Sequence, residues 1–547
     1  MAAPTITYNF FRGSVPRIAA HLLREGDAQR ALDVRLETGR LEAWREPSLE
    51  LATKPETKTV YLYDCCWLEF PACVSVTEGS VTCREIYVTG LAGFPIEGRV
   101  EDDCSVSWRR LGMPCPLFPP RVTDPNDLSN KDVEGRSYCY AYVNRAGAVG
   151  QMSPGSSPIL INDGTCVTVS GWEIPPAEWD ITEVQIYRSV SANLSGQAPG
   201  AVDLANNKQD TFWMVVGKTS ITSPTFIDCR VNEELTSSSQ YTYMPPPPAN
   251  LEGIGSISSM NVLFGFVGNK LYFTENNNPH AWIHSYTLDD NIRAVTYSDG
   301  MIYVATDGHP YMLSATDECD HAGCRRVVRF DEALPMVGFG VRRMAAVPGG
   351  AVYPSHKGLV LLGDKGRAKL ITYNLYSPEQ WQRLQPDSIT PIFHVGKLFV
   401  FGKGGSFVIT LKGGAEDLWA FDGHSELSDR VLDAFESRQG FLYLHKTDGV
   451  YRWEGSSTRR SYLWLSPKAL MPRHEAYGIV YVRVDSGGIG HIRILRDGHL
   501  VSDRDVFKTQ YYTLPNWAVG MSWEIEVTGT ASVSVVSIAT QREGLMT

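Results

Sequence analysis

The sequence has no apolar run near the roughly 18–20 residues that a membrane-crossing helix needs, which excludes a helical span. Its opening, MAAPTITYNFFRGSVPRIAAHLL, lacks the charged start, apolar stretch and small-residue cleavage site of a secretory signal, so synthesis in a cytoplasm is expected. The eleven Cys are odd in number and form no CxxC pair. They read as reduced, mostly buried thiols, because free Cys packs as a small hydrophobe. GxSxG, P-loop, HExxH and EF-hand patterns are all missing. Positive charge is in deficit, 50 Lys and Arg against 61 Asp and Glu, and a net charge of −11 argues against a sequence-reading nucleic-acid binder.

Turn-forming and strand-forming residues are abundant. The chain carries 32 Pro, 49 Gly and 25 Tyr, a mixture that suits short strands joined by tight turns better than helices. Its 547 residues allow three or four domains.

The second half contains an internal repeat. Gly300-MIYVATD-Gly308-HPYML, Gly350-AVYPSHK-Gly358-LVLL, Gly396-KLFVFGK-Gly404-GSFVIT and Gly440-FLYLHKTD-Gly449-VYRW share one grammar. In each, a Gly opens a short apolar strand, and eight or nine residues later a second Gly turns the chain into another. The strand candidates IRAVTY, MAAV, ITPIFHV and LDAF precede the four opening glycines, and Gly268-NKLYFTE is a divergent fifth copy. Units of this length, each a meander of three or four strands, predict β-propeller blades, which must stack because one small sheet cannot cover both its faces. A sixth copy lies upstream, where Glu85-IYVTGLAGFPI matches Met301-IYVATDGHPYM and Thr59-VYLYDCCWLEF supplies the strand before it.

The expected fold is therefore mainly β. Residues 58–125 form a first blade, 250–460 the remaining blades of a six-bladed-type propeller, and 130–243 an inserted fibronectin III-like sandwich. The insert is read from Tyr138-CYAYVN, Ile159-LIN, Cys166-VTVSGW, Glu183-VQIYRS, Phe212-WMVVGK and Phe226-ID. Ser191–Asp210 reads as an exposed loop within it, and Met244-PPPPAN as a stiff spacer. Five strands after 461 predict a C-terminal sandwich over 461–547. Ile18–Leu36 predicts a short helix, interrupted at Gly26, in an N-terminal segment 1–57.

Candidate chemistry is sparse. A glycan-active propeller needs converging carboxylates, but Asp307, Asp364 and Asp448 sit in Asp-Gly or Asp-Lys-Gly turns, where turn geometry accounts for them. His280 and His284 are four apart, which suits a metal only on a helix, and they follow Pro279 in an apparent loop. Cys319, His321 and Cys324 lack a fourth ligand, and Gly402-KGG reads as a turn. No catalytic, cofactor or metal residue is assigned. The alternatives are a carbohydrate-binding or glycan-active propeller and a surface adhesion protein.

In order along the chain, Phe11-RGSVPRIAAHLL, Ala31-LDVRLETGRLEAWREP, Trp67-LEF, Pro246-PPANLEGI, Asn278-PHAW, Gly300-MIYVATDGHPYML, Gly358-LVLLGDKGRAKLIT and Tyr376-SPEQWQRLQP resemble the tail nozzle proteins of short-tailed bacteriophages, the tail tubular protein B family. The cysteines of the first blade (Cys65, Cys66, Cys73, Cys83) depart from that pattern. The resemblance implies a non-enzymatic virion protein, six copies of which form a tube beneath the portal and adaptor. That tube continues the DNA channel and holds it shut until infection. It also implies contacts with the head–tail adaptor and with tail fibres or spikes, while DNA passes without specific binding. Six copies carry a formal charge of about −66 (six times −11), which suits a bore that repels phosphate. Within 1–57, Arg35, Arg40 and Arg45 alternate with apolar residues and, with Trp44, are the expected docking residues for neighbouring virion proteins.

Overall fold

The computed structural model describes residues 5–79, 84–123, 133–162, 164–189, 213–235, 237–239, 243–315, 325–363, 366–412, 420–515 and 518–542. The expected loop Ser191–Asp210, Asp364 and the Cys319–Cys324 group lie outside them. The chain is mainly β and divides into two compact units.

Among the described residues, six four-stranded antiparallel meanders of propeller-blade type are present. The first unit (Met1–Cys73, Asp290–Thr316, Arg325–Thr547) holds four of them. These start at Ile292–Ser298, Ala345–Val347, Thr390–His394 and Asp433–Glu436. Strand periodicity explains how they stack. Alternate side chains of one strand point to opposite faces, so a strand buried on both faces feeds two cores. Ala351, Tyr353, Val360 and Leu362 pack with Ala294, Tyr303 and Met312 of the preceding meander. Their neighbours Val352, Leu359 and Leu361 pack with Leu398, Val400 and Ile409 of the next. Phe399 and Phe401 then face Ala434, Leu444 and Trp453 of the last. Sheets thus cover one another in series, and the fourth strand of the last meander is Ser48–Leu51, supplied from the N-terminal segment.

The opening glycines work as turn residues at Gly300, Gly396 and Gly440, all at positive φ. At the remaining copy in this unit the turn is made by Gly349, and Gly350 lies within its strand. The Asp299–Gly300 turn has φ of 47° and 84°, and Val395–Gly396 repeats it with 46° and 74°. Asp tolerates that conformation; a β-branched residue does not. Val395 is also 72% exposed, so no burial compensates. Val395→Asn is expected to stabilise the chain by about 1 kcal/mol, read as a higher urea midpoint. An unchanged or lower midpoint would show that the turn is not strained.

The second unit, built on Val74–Asp289, holds the meanders Ser75–Arg110 and Glu252–Thr287. They pack through Tyr87 and Leu111 against Leu251, Ile254, Leu263 and Trp282, so the upstream copy does join a downstream one across the insert. Its opening strand is not the one expected. Thr59–Tyr63 and Cys66–Phe70 pair with each other in a hairpin, with Asp64 at φ 50° in the tight turn between them. That hairpin belongs to the first unit, where Val60 and Trp67 pack on Tyr443 and Val450.

The insert is a two-layer sandwich. Tyr138, Tyr140, Tyr142, Val184 and Ile186 of its five-stranded sheet face Ile161, Val167 and Val169 of the other layer. A buried Arg188–Asp228 pair at 2.9 Å, with the Tyr138 hydroxyl donating to the same carboxylate, closes this core. Arg110 lies over the Trp179 ring at 4.1 Å and pairs with Glu178, fixing the insert to the first meander. Two expectations about cysteine are corrected. Cys166 and Cys229, flanking the paired strands Val167–Ser170 and Thr225–Asp228, form a disulfide, and the free thiols Cys65 and Cys73 are exposed rather than buried.

The expected N-terminal helix is absent from the described residues. Residues 15–26 form successive turns, and Arg30–Leu32 is a strand. Gly26 at φ 84° breaks any helix there, and the Arg12 N–H donates to its carbonyl. Thr5–Tyr8 pairs with Ser532–Ala539, and Arg30–Leu32 lies between Tyr462–Leu465 and Ala420–Leu427. The C-terminal sandwich, eight strands from Tyr462–Leu465 to Ser532–Ala539 rather than five, therefore includes N-terminal strands. Tyr8 and Phe11 pack edge-on against Trp464 in its core. The one α-helix among the described residues is Pro378–Arg383. Ser377 and Gln380 cap each other's backbone in a capping box.

Candidate functional site

The expected docking residues sit on a short hairpin, Val34–Arg35 paired with Glu42–Ala43. Apolar alternation on this segment turns one face inward, and Trp44 points that way. It is 2% exposed, between Phe399 and Trp453. Arg35 and Lys397 lie over its ring at 5.1 and 5.4 Å, and Lys397 pairs with Glu37 at 2.8 Å. Trp44 is thus a core residue of its own chain, and Arg35 is its cover, paired with Glu37 and Glu454. Arg40 and Arg45 face solvent, Arg40 beside Asp485 at 3.6 Å.

Just behind the hairpin is a buried ionic clasp. Arg460 bonds Asp33 at 3.1 Å and Asp429 at 2.5 Å and pairs with Glu46 at 3.3 Å, and Lys446 takes the other oxygen of Asp429 at 2.6 Å. Burial pushes the Asp429 carboxyl up, but Arg460 and Lys446 outweigh it and hold it below the ordinary range. The clasp joins the N-terminal segment to strands four hundred residues away.

One constellation has the outward form of a nucleophile and base. Ser14 Oγ lies 2.8 Å from Nδ1 of His424, and the Tyr376 hydroxyl 2.5 Å from Nε2. Burial holds the Tyr376 hydroxyl well above its ordinary range, so it stays protonated beside Nε2. Burial also pushes the His424 pKa down to about 3. With Ser14 and His424 both sealed at 1% exposure, the pair is closed to a substrate as it stands. The group pins the N-terminal segment to the strand Ala420–Leu427. Sequence reading missed it, because Ser14 and His424 carry no local motif.

The other candidates do not converge. His280 Nδ1 lies 3.8 Å from buried Glu97, and His284 Nε2 3.2 Å from Glu275, so the two imidazoles face different carboxylates. His284 also begins a strand rather than lying in a loop. Asp307 accepts from the Asn291 N–H at 2.9 Å, sixteen residues back, and pairs with Arg293 at 3.5 Å, while Asp448 accepts from the Tyr451 hydroxyl at 2.6 Å.

No protein-family model matches the chain, and no characterised protein matches it in sequence. Solved structures similar to it include BBS1N in complex with ARL6DN (9% identity, 75% of this chain and 98% of that one, TM-score 0.28). Others are Saccharomyces cerevisiae Sqt1 (9%, 76% and 99%, 0.27) and Kluyvelomyces marxianus Hsv2 (12%, 56% and 97%, 0.26). These are β-propeller proteins. Likeness at such TM-scores carries no argument, and the blade assignment rests on strand pairing and packing.

Proposed function

We propose that the chain is a structural, non-enzymatic subunit of the tail nozzle of a short-tailed bacteriophage, six copies of which form a ring around the DNA path. The observation that carries this reading is the ordered set of sequence marks from Phe11 to Pro386 that resemble that family. The six blade-type meanders with a sandwich inserted after the first are the architecture expected from the repeats along the same chain. The partners proposed are the other copies, the head–tail adaptor and the fibre or spike proteins, with DNA passing a negatively charged bore.

The direct test is negative-stain imaging of the purified chain, where a six-fold ring with a central hole is expected. A monomer under all conditions, or turnover of a host glycan that one carboxylate substitution abolishes, would overturn the reading. Deleting 1–50 is a poor test of docking, since it removes Tyr8, Phe11, Ala31 and Trp44 from the core. Arg40→Glu with Arg45→Glu is the better one. Both side chains are surface groups, so stability should move by less than about 0.5 kcal/mol. Incorporation into particles is expected to fall at least tenfold; normal incorporation would show that these arginines do not dock.

A further inference from the structure

The first 24 residues contain Arg12, Arg17 and Arg24 and no Asp or Glu, an exception in a chain of net charge −11. Their turns, residues 15–26, leave apolar side chains in water: Leu22 is 66% exposed, and Ile18 is exposed beside it. Two more exposed apolar residues are brought to the same surface. Arg17 lies over the Tyr373 ring at 4.8 Å and its N–H donates to the Leu375 carbonyl. The Ala20 carbonyl accepts from the N–H of Lys468, two residues before exposed Leu470. Ile18, Leu22, Tyr373 and Leu470 are thus exposed apolar residues on segments that these backbone bonds hold together, with exposed Arg17, His21 and Arg24 among them, Glu25 beside Arg24, and Lys468 paired with Glu524 at 3.8 Å. Exposed apolar patches with a polar rim mark protein contacts.

The same chain carries a surface of opposite character. The loop 171–180, GWEIPPAEWD, has three acids and no Lys or Arg. Trp172 and Trp179 are buried and anchor it, while Ile174 between them is 69% exposed with Glu173 at its side. Glu178 and Asp180 are held by Arg110 and Arg145, which leaves the exposed Glu173–Ile174 pair as the tip.

We infer that the Glu173–Ile174 tip of one copy docks on the N-terminal surface of a second copy that presents Arg17 and Arg24 beside Ile18 and Leu22. Two different patches meeting between identical chains make a head-to-tail contact, which propagates and closes into a ring when the rotation allows. The inference rests on the proposed assembly and names its contact. Ile174 supplies the apolar anchor among Ile18, Leu22, Tyr373 and Leu470, and Glu173 pairs with Arg24 or Arg17.

Charge exchange in the full chain tests it, by sedimentation velocity at low and moderate salt. Arg24→Glu and Glu173→Arg should each weaken self-association at least tenfold, with unchanged circular dichroism and melting. The double variant should recover most of the loss, because the pair is restored with its signs reversed. Leu22→Asp should abolish association without rescue by Glu173→Arg. If the wild-type chain assembles and all variants assemble equally well, this contact is wrong and the assembly reading stands. A wild-type chain that stays monomeric at every concentration overturns both.

Discussion

Replacing Arg460 by Met is expected to destabilise the chain by about 3–5 kcal/mol, the cost of leaving buried carboxylates without their partner. Asp33 and Asp429 are both buried and both bond Arg460, and Lys446 compensates only Asp429. The loss should shrink when Asp33→Asn and Asp429→Asn are added, since uncharged amides no longer need a counter-ion in the interior. Denaturant midpoints of the wild type, the single and the triple variant decide the matter. A loss below about 1 kcal/mol for Arg460→Met, typical of exposed pairs, would mean that water reaches the clasp.

Acid should loosen the N-terminal segment well before it protonates ordinary carboxylates, and His424 is the reason. An unfolded histidine takes up its proton near pH 6.5, whereas burial holds the folded one neutral down to about 3. The unfolded chain therefore binds the extra proton throughout that interval, and stability falls as pH falls. At about 1.4 kcal/mol per pH unit the accumulated loss approaches roughly 5 kcal/mol at the acid end. Asp429 shifts the same way lower down: its carboxyl is depressed, so its contribution is present above about pH 4 and lost beneath. His424→Asn should be less stable at pH 7, because its contacts with Ser14 and Tyr376 are altered, yet its stability should change less between pH 6.5 and 4.5. Parallel pH slopes for the two proteins would show that His424 is not the titrating group.

The blade repeats were legible because they are local. Glycines at positive φ close hairpins between strands adjacent in sequence, and the aromatic alternation marks strands covered on both sides. The insert was legible for the same reason, six strands separated by turn residues. The N-terminal helix was misread because Ala, Leu and Arg favour helix in isolation, while long-range bonds such as Lys468 N–H to the Ala20 carbonyl select an extended path. The real helix was marked by Ser377–Pro378 with Gln380 three residues after the serine, a start signal inside a stretch read only for its resemblance. Trp44 was assigned to docking because alternation shows that one face is buried without showing what buries it. Pairings such as Ser14 with His424, or Asp33 with Arg460, span four hundred residues and leave no trace in local pattern.

Thr5 pairs with Ala539, and Ser48–Leu51 closes a meander whose other strands begin at Asp433. A ribosome adding 5–20 residues per second needs on the order of half a minute or more to travel between the two members of the first pair. During that time Thr5–Tyr8 has no partner, and its hydrogen-bonding edge stands open. The meanders can form on the nascent chain as they emerge, the last once Gly449–Arg452 reaches the waiting Ser48–Leu51, but the terminal sandwich waits for Ser532–Ala539. A nonsense codon near the end would therefore also leave Thr5–Tyr8, made first, without the strand it pairs with.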